Sequence, residues 1–294
     1  MALIKYGLQP ALIIGVLALW YYNYEAWWMF PAVVFGVQLL LGVLEYIFPA
    51  RPEWVHSARY KTLLGSIFVL MFLFSGMLVE PLYAETVNPF LSDIRTQLGI
   101  DIWPTSWPII AQVLLAFFMS EFIWYWLHRA EHRWQWFWRL SGHGAHHAFK
   151  NLGALNAGAN HPLELLLVLS IPSAIVELVF GAGVAVYGSL MLLLTQAYIA
   201  HSNLDLNTKV IGWLFTTNRY HIHHHSSVFA ESNTNFGCAA IVWDRLFGTF
   251  RDAYTVETGT GPTQPSVWQL FIMPYKEPTD TETSPEAGGG IASS

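Results

Sequence analysis

Nine of the twelve histidines in this 294-residue chain fall into three short groups with one spacing grammar. They are His128-Arg-Ala-Glu-His132, His143-Gly-Ala-His146-His147 and His221-Ile-His223-His224-His225, with His201 alone between the second and third. Imidazole is the commonest metal ligand among side chains. A tetrahedral zinc uses four ligands, so the eight rings left once His223 is set aside are twice what one such ion needs. Two ions in one site is the simplest accounting. His128 and His132 are one helical turn apart, so both rings can point at one ion. His143 with His146, and His221 with His224, are three apart and share a helical face. His147 and His225 sit about 100° further round, which lets each HxxHH group reach two neighbouring ions. His223 should face away, and it and His56 are read as structural. All-nitrogen ligation suits zinc, iron, copper or nickel and disfavours magnesium and calcium. Spacing does not separate iron from zinc.

The elements that carry these residues are apolar. Hydrophobic residues make up 54% of the chain and charged residues 12%, about half the charged share of a soluble domain. A membrane span needs about 20 apolar residues. Candidates are Leu8–Tyr22, Trp27–Phe48, Thr62–Val79, Trp107–Leu127, Leu163–Phe180 and Val184–Ala200. The expected fold is therefore an all-α, multi-pass membrane bundle with four to six true spans and a histidine-rich helical cap. No small-residue cleavage site follows Lys5, so the first segment reads as an anchor. If all six cross with Lys5 cytoplasmic, every Lys and Arg except Arg95 falls on the cytoplasmic side, as the positive-inside rule requires. Arg95 lies in the stretch Glu80–Trp107, read as an external loop. The histidine groups all land on the same cytoplasmic face, although they played no part in that orientation. Basic residues spread along a membrane face give no support for nucleic-acid binding. The single cysteine, Cys238, excludes internal disulfides and cysteine-ligated clusters. The chain divides into membrane segments over 1–106, a catalytic region over 107–275 and a disordered tail over 276–294.

Further residues surround the histidines. Glu121-Phe-Ile-Trp-Tyr-Trp-Leu leads into His128; Asn160-His161-Pro162-Leu163-Glu164 opens the fifth segment; His201-Ser-Asn203-Leu closes the sixth. Asn235-Phe-Gly237 and Trp243-Asp244-Arg-Leu-Phe-Gly-Thr249 follow the last group. Together, over roughly Glu121–Phe250, the set resembles the fatty acid hydroxylase (sterol desaturase) superfamily of membrane di-iron oxidoreductases. The resemblance implies metal ligation by His128, His132, His143, His146, His147, His221, His224 and His225, with His201 as a ninth ligand. His161 is either a further ligand or a supporting residue. A ligating imidazole usually donates its other N–H to a carboxylate or carbonyl, which makes Glu121, Glu164, Asn203, Glu231 and Asp244 candidates for support. Trp124, Tyr125, Trp126, Trp134, Trp136 and Trp138 are read as an interfacial aromatic belt. The implied reaction is O2-dependent hydroxylation or desaturation of a membrane lipid at two iron ions. Electrons would come from a separate ferredoxin- or cytochrome b5-like carrier with its reductase, and a bacterial inner membrane is the expected location. A metal transporter would carry its ligands near the middle of the spans, and a zinc hydrolase would need only about three protein ligands. Both are kept as alternatives.

Overall fold

The computed structural model describes residues 2–206, 209–261 and 263–272; the expected tail over 276–294 lies outside them. The described residues form helices joined by irregular segments, with one isolated bridge between Ser226 and Thr258 and no strand. The chain order begins with α1 (Ala2–Asn23), α2 (Met29–Ile47), α3 (Ala58–Gln97) and α4 (Ile109–Arg133). Short α5 (Gln135–Ser141) and α6 (His143–His146) follow. Next come α7 (Pro162–Phe180) and α8 (Val184–His201). The cap finishes with α9 (Asn218–His224), α10 (Phe229–Ser232), α11 (Val242–Phe247) and α12 (Val267–Ile272). Six of these, α1 to α4, α7 and α8, are long and apolar enough to cross a membrane. The protein is a multi-pass membrane helical bundle.

The third span departs from the sequence expectation. Glu80 and the residues after it do not begin a loop, because α3 continues as one helical run to Gln97. Pro81 and Pro89 lie within it, although proline lacks the N–H that the preceding turn needs. A widened, π-type turn precedes each of them, at Ser75–Val79 and Tyr83–Val87, and takes up the mismatch. The same device recurs in α7, where the widened turn Leu165–Leu169 precedes Pro172. At 1.5 Å per residue, α3 is about 60 Å long, twice the roughly 30 Å hydrocarbon core. It cannot stand upright within a bilayer.

Contacts at the helix ends fix which ends share a face. Lys5 at the start of α1 pairs with Asp205 beyond the end of α8, N to O 2.8 Å. Beyond α2, the Ala50 N–H donates to the Asn203 carbonyl and the Arg51 N–H to the Asn203 side chain, both at 2.9 Å. At the opposite end, Trp103 packs on Phe180 of α7 and donates to Gln112 of α4 at 2.7 Å. The spans therefore alternate in direction, and the C-terminal ends of α4 and α8 share a face with the start of α7. α8 is the central helix: 67% of its apolar window is buried, against at most 44% for any other span. Gly188 permits its close approach to α1 and α4, since a Cβ there would lie 2.7 Å from Val113 and 2.9 Å from Trp20. Small residues at such crossings let membrane helices pack by contact. Gly188→Leu is expected to destabilise the detergent-solubilised protein by about 1–3 kcal/mol, measured by denaturant unfolding. Unchanged stability would show that α8 is not clamped there.

Candidate metal centre

Three helix ends and one short helix deliver the imidazoles. α4 carries His128 and His132 on its last two turns, α6 begins with His143, α8 ends at His201, and α9 presents His221 to His225. Gly142 separates α5 from α6 in the left-handed region, φ 77°, which turns the chain sharply enough to bring His143 back over α4. The rings sort into two buried groups. His128, His132, His143, His147 and His224 form one; His146, His201, His221 and His225 form the other, and within each the ligand atoms lie within 4.8 Å of one another. Each HxxHH segment is split between the groups, as its spacing suggested, but the ring pairs are not those expected. His143 shares its group with His147 and His221 shares its group with His225, four residues apart, while His146 and His224 go to the opposite group. Residues four apart are about 40° apart around a helix and residues three apart about 60°, so the i, i+4 pair converges better.

The hydrogen bonds behind the rings decide what the cluster can hold. The Nδ1 atoms of His128, His201 and His224 face the carbonyls of Phe236, Ala197 and Thr234 at 2.6, 2.7 and 2.8 Å. His143 Nδ1 faces the Glu164 carboxylate at 2.7 Å. Each partner is an acceptor in its usual form, so these rings carry their proton on Nδ1 and turn a bare Nε2 inward. Yet His128 Nε2 lies 3.0 Å from both His143 Nε2 and His224 Nε2. In the second group His201 Nε2 lies 3.0 Å from His221 Nε2 and 3.2 Å from His146 Nε2. Among His128, His143 and His224, all with the proton on Nδ1, the facing Nε2 lone pairs repel and no atom has a hydrogen to share. Metal–nitrogen bonds of about 2.1 Å at right angles place neighbouring nitrogens about 3.0 Å apart. The donor set thus fits a metal ion in each group.

Protonation is not an alternative way to relieve the repulsion. Burial holds His143, His146, His147, His221, His224 and His225 well below the ordinary imidazole range, and the neighbouring rings push in the same direction. The rings are neutral ligands at neutral pH. Protons therefore compete poorly with a metal, and acid release should have its midpoint below about pH 6.5, the free imidazole value. Metal retained after desalting at stepped pH measures this. A midpoint at or above that value would mean the rings are hydrated rather than buried.

The supporting candidates take different places. Glu164 is the carboxylate behind His143. Asp244 acts one step further out: it accepts from the backbone N–H groups of Phe236 and Gly237 at 2.7 Å each and from Thr249 at 2.6 Å, fixing the turn whose Phe236 carbonyl meets His128. Burial pushes its carboxyl up to about 6, against the pull of those hydrogen bonds. Asn235 opens that turn at φ 54°, held by bonds to Tyr220 and Arg251. Glu121 touches no imidazole nitrogen; its Oε2 accepts from Ala239 and Ala240 at 2.8 and 2.9 Å. Asn203 ties α8 to the segment after α2. Glu231 accepts from Ser226 at 2.5 Å and stands 4.0 Å from His223. His161 belongs to neither group: its Nε2 donates to the Phe271 carbonyl and its Nδ1 accepts from Leu163, capping α7. His223 points away from the cluster, to Thr255 Oγ1 at 2.8 Å.

Sequence reasoning missed Glu131. It is fully buried between His128 and His132, with Oε2 3.8 Å from His143 Nδ1, and forms a third compact group with His143 and Glu164. Its signal was a carboxylate on the last turns of an apolar helix, inside the HxxxH motif itself. The aromatic belt also divides. Trp126, Trp134 and Trp136 are exposed, as a belt requires, but Trp124 and Tyr125 are buried. Trp124 stacks on His128, centroids 5.1 Å apart, and Trp138 packs on His132 and His143 at 5.1 Å each. These rings wall the site because their helix faces turn inward. A cavity of about 460 Å³ opens from the cluster between α3, α4, α7 and α8, lined at its inner end by His128, His143, His146, His201 and His221.

Comparison with known proteins agrees with this arrangement. Residues 113–249 match the family model for fatty acid hydroxylase. An ornithine lipid hydroxylase of Rhizobium tropici is 35% identical over 153 residues, covering 51% of this chain and 45% of its own length. Lathosterol oxidase of Homo sapiens is 27% identical over 210 residues, 70% of this chain and 65% of that protein. A very-long-chain aldehyde decarbonylase of Oryza sativa subsp. indica is 27% identical over 174 residues, 57% and 63%. The chain spans less than two thirds of each of these relatives, and no solved structure matches it. The matched segment holds all nine clustered histidines together with Glu121, Glu131, Glu164 and Asp244, so the similarity to the fatty acid hydroxylase family covers the whole candidate metal centre.

Proposed function

We propose that this protein is a membrane-bound, two-iron oxygenase that hydroxylates or desaturates an unactivated C–H position of a lipid. The observation that carries the reading is the pair of buried, all-imidazole groups at the inner end of a cavity between membrane spans. The five histidines of one group and the four of the other would hold one ion each. Bound iron would supply the activation of dioxygen and the cleavage of the C–H bond. In hydroxylation one oxygen atom enters the C–H bond and the other leaves as water, with two electrons and two protons consumed. The carbonyls of Phe236, Thr234 and Ala197 and the Glu164 carboxylate hold the rings in one tautomer. Trp124 and Trp138 keep water from the rings they cover. The cavity places the lipid against them.

The catalytic region is taken as 107–275, joined to an N-terminal membrane part over 1–106. The positive-inside pattern supports a cytoplasmic site; we place it in a bacterial inner membrane, with electrons delivered by a separate ferredoxin- or cytochrome b5-like carrier. A transporter is disfavoured because the rings sit at span ends, and a zinc hydrolase because nine imidazoles exceed its needs. Detergent-purified protein should contain about two irons per chain and incorporate isotopically labelled oxygen from O2 into a lipid. One tightly bound zinc with lipid hydrolysis would overturn the proposal.

A further inference from the structure

The four-ring group is braced from outside residues 113–249. Asn203, buried two residues beyond the ligand His201, is held by the end of α2 and the segment after it, which supply no imidazole. Its N–H donates to Glu45 Oε1 at 2.8 Å, and its carbonyl accepts from the Ala50 N–H at 2.9 Å. Its side-chain oxygen accepts from the Arg51 N–H at 2.9 Å, and its side-chain nitrogen donates to the Arg51 carbonyl at 2.8 Å. Every hydrogen-bonding group of Asn203 is thus engaged by residues 45–51. The same Glu45 oxygen accepts the Ala154 N–H at 2.8 Å, and Gln38 of α2 donates to the Ala154 carbonyl at 3.0 Å. Gly153 leaves room for the carboxylate, since a Cβ there would lie 3.1 Å from Glu45 Oε2.

The bracing continues from Asn203 into the metal centre. Its neighbours Ser202 and Leu204 each offer a carbonyl to the Asn218 side chain, at 2.8 and 2.5 Å. Asn218 opens α9, one turn before His221. The end of α8 and the start of α9 are therefore joined through one short segment, and their ligands His201 and His221 meet at 3.0 Å. Three of the four rings, His146, His221 and His225, have no partner at Nδ1 among the described residues, so the backbone must place them. The five-ring group differs: Glu164 and the carbonyls of Phe236 and Thr234 hold its rings directly, His224 at the far end of α9 included. We infer that Glu45 is a positioning residue for the four-ring group. By holding Asn203 it fixes the ends of α8 and α9 at the separation two ligands require, and α2 thereby sets the affinity of one ion and not of the other. This rests on the metal-centre reading, not on the oxygenase chemistry.

The test reads each ion separately. His147→Ala leaves the four-ring group intact and His146→Ala the five-ring group. Ferrous iron affinity of the detergent-purified full chain is measured in each background by anaerobic competition with a chelator. Glu45→Ala should weaken binding about 10- to 100-fold in His147→Ala and leave it unchanged in His146→Ala. Glu45→Gln keeps a carbonyl oxygen for the Asn203 and Ala154 N–H groups and should restore the affinity. An equal loss in both backgrounds, which a loosened bundle would give, overturns the inference. So does no loss in His147→Ala, a loss that Glu45→Gln fails to restore, or release of both irons by either histidine substitution alone. If Glu45→Ala fails to fold, Asn203→Ala decides: it removes only the two side-chain bonds to Arg51, and its smaller loss must fall on the same ion. A wild-type chain that takes up no iron rejects the metal-centre reading and this inference with it. Two irons in the wild type, with Glu45→Ala weakening both or neither, reject the inference alone. Selective loss in protein that oxidises no lipid would keep the positioning role and reject the oxygenase.

Discussion

Replacing His146 or His147 with alanine is expected to remove a different metal ion in each case, although the two residues are adjacent. His147 belongs to the five-ring group and His146 to the four-ring group. Neighbouring positions on a helix diverge by about 100°, and the centres lie on either side of that divergence. Each variant should bind about one iron per chain in place of two, because the untouched group keeps its ligands. If the proposed oxygenase reading holds, oxidation of the lipid should fall to background in both, since that reaction would use both ions. The same contrast is expected for His224→Ala and His225→Ala. Elemental analysis of the iron-reconstituted proteins reads the result. Two irons retained in either His146→Ala or His147→Ala, or loss of both irons in each, would mean that the groups are not separate sites.

Glu164→Ala should lower the metal affinity of the five-ring group by about 10- to 100-fold, the usual cost of removing the partner behind a ligating histidine. Glu164 is buried and accepts the His143 Nδ1 proton at 2.7 Å. Without it that N–H is left buried beside Glu131, whose nearer oxygen is 3.8 Å away, too far for a hydrogen bond. Glu164→Gln retains a carbonyl acceptor and should lose less. The comparison separates the tautomer-fixing role from the role of charge. Chelator competition followed by metal analysis measures it, and wild-type affinity in Glu164→Ala would remove Glu164 from the site.

The histidines were legible because their spacing is local: four residues put His128 and His132 on one turn, whatever the rest of the chain does. Their sorting was not. The choice of His147 over His146 as the partner of His143 depends on where α4 and α9 meet α6, which no local period records. Glu121 was visible as a carboxylate in an apolar span, yet its partners are Ala239 and Ala240, more than a hundred positions on. Periodicity along α4 does not reach that far. Glu131 was hidden for the opposite reason: it lies within the motif, where a charge at a helix end reads as solvated. α3 ran past its expected end because widened turns absorbed Pro81 and Pro89, a tertiary accommodation with no composition signal. Belt residues were read as a class, and only the helix faces separate Trp124 from Trp126.

The split of both HxxHH segments has a consequence for how the protein matures. Neither group is complete until α9 has been made, since His224 belongs to one and His221 and His225 to the other. By then all six candidate spans have been synthesised. A metal held by either group would therefore be loaded last and could not guide insertion of the helices it joins. A released chain ending before His221 would carry all six candidate spans but neither complete group, and metal uptake in a timed synthesis should begin only after His225 is made.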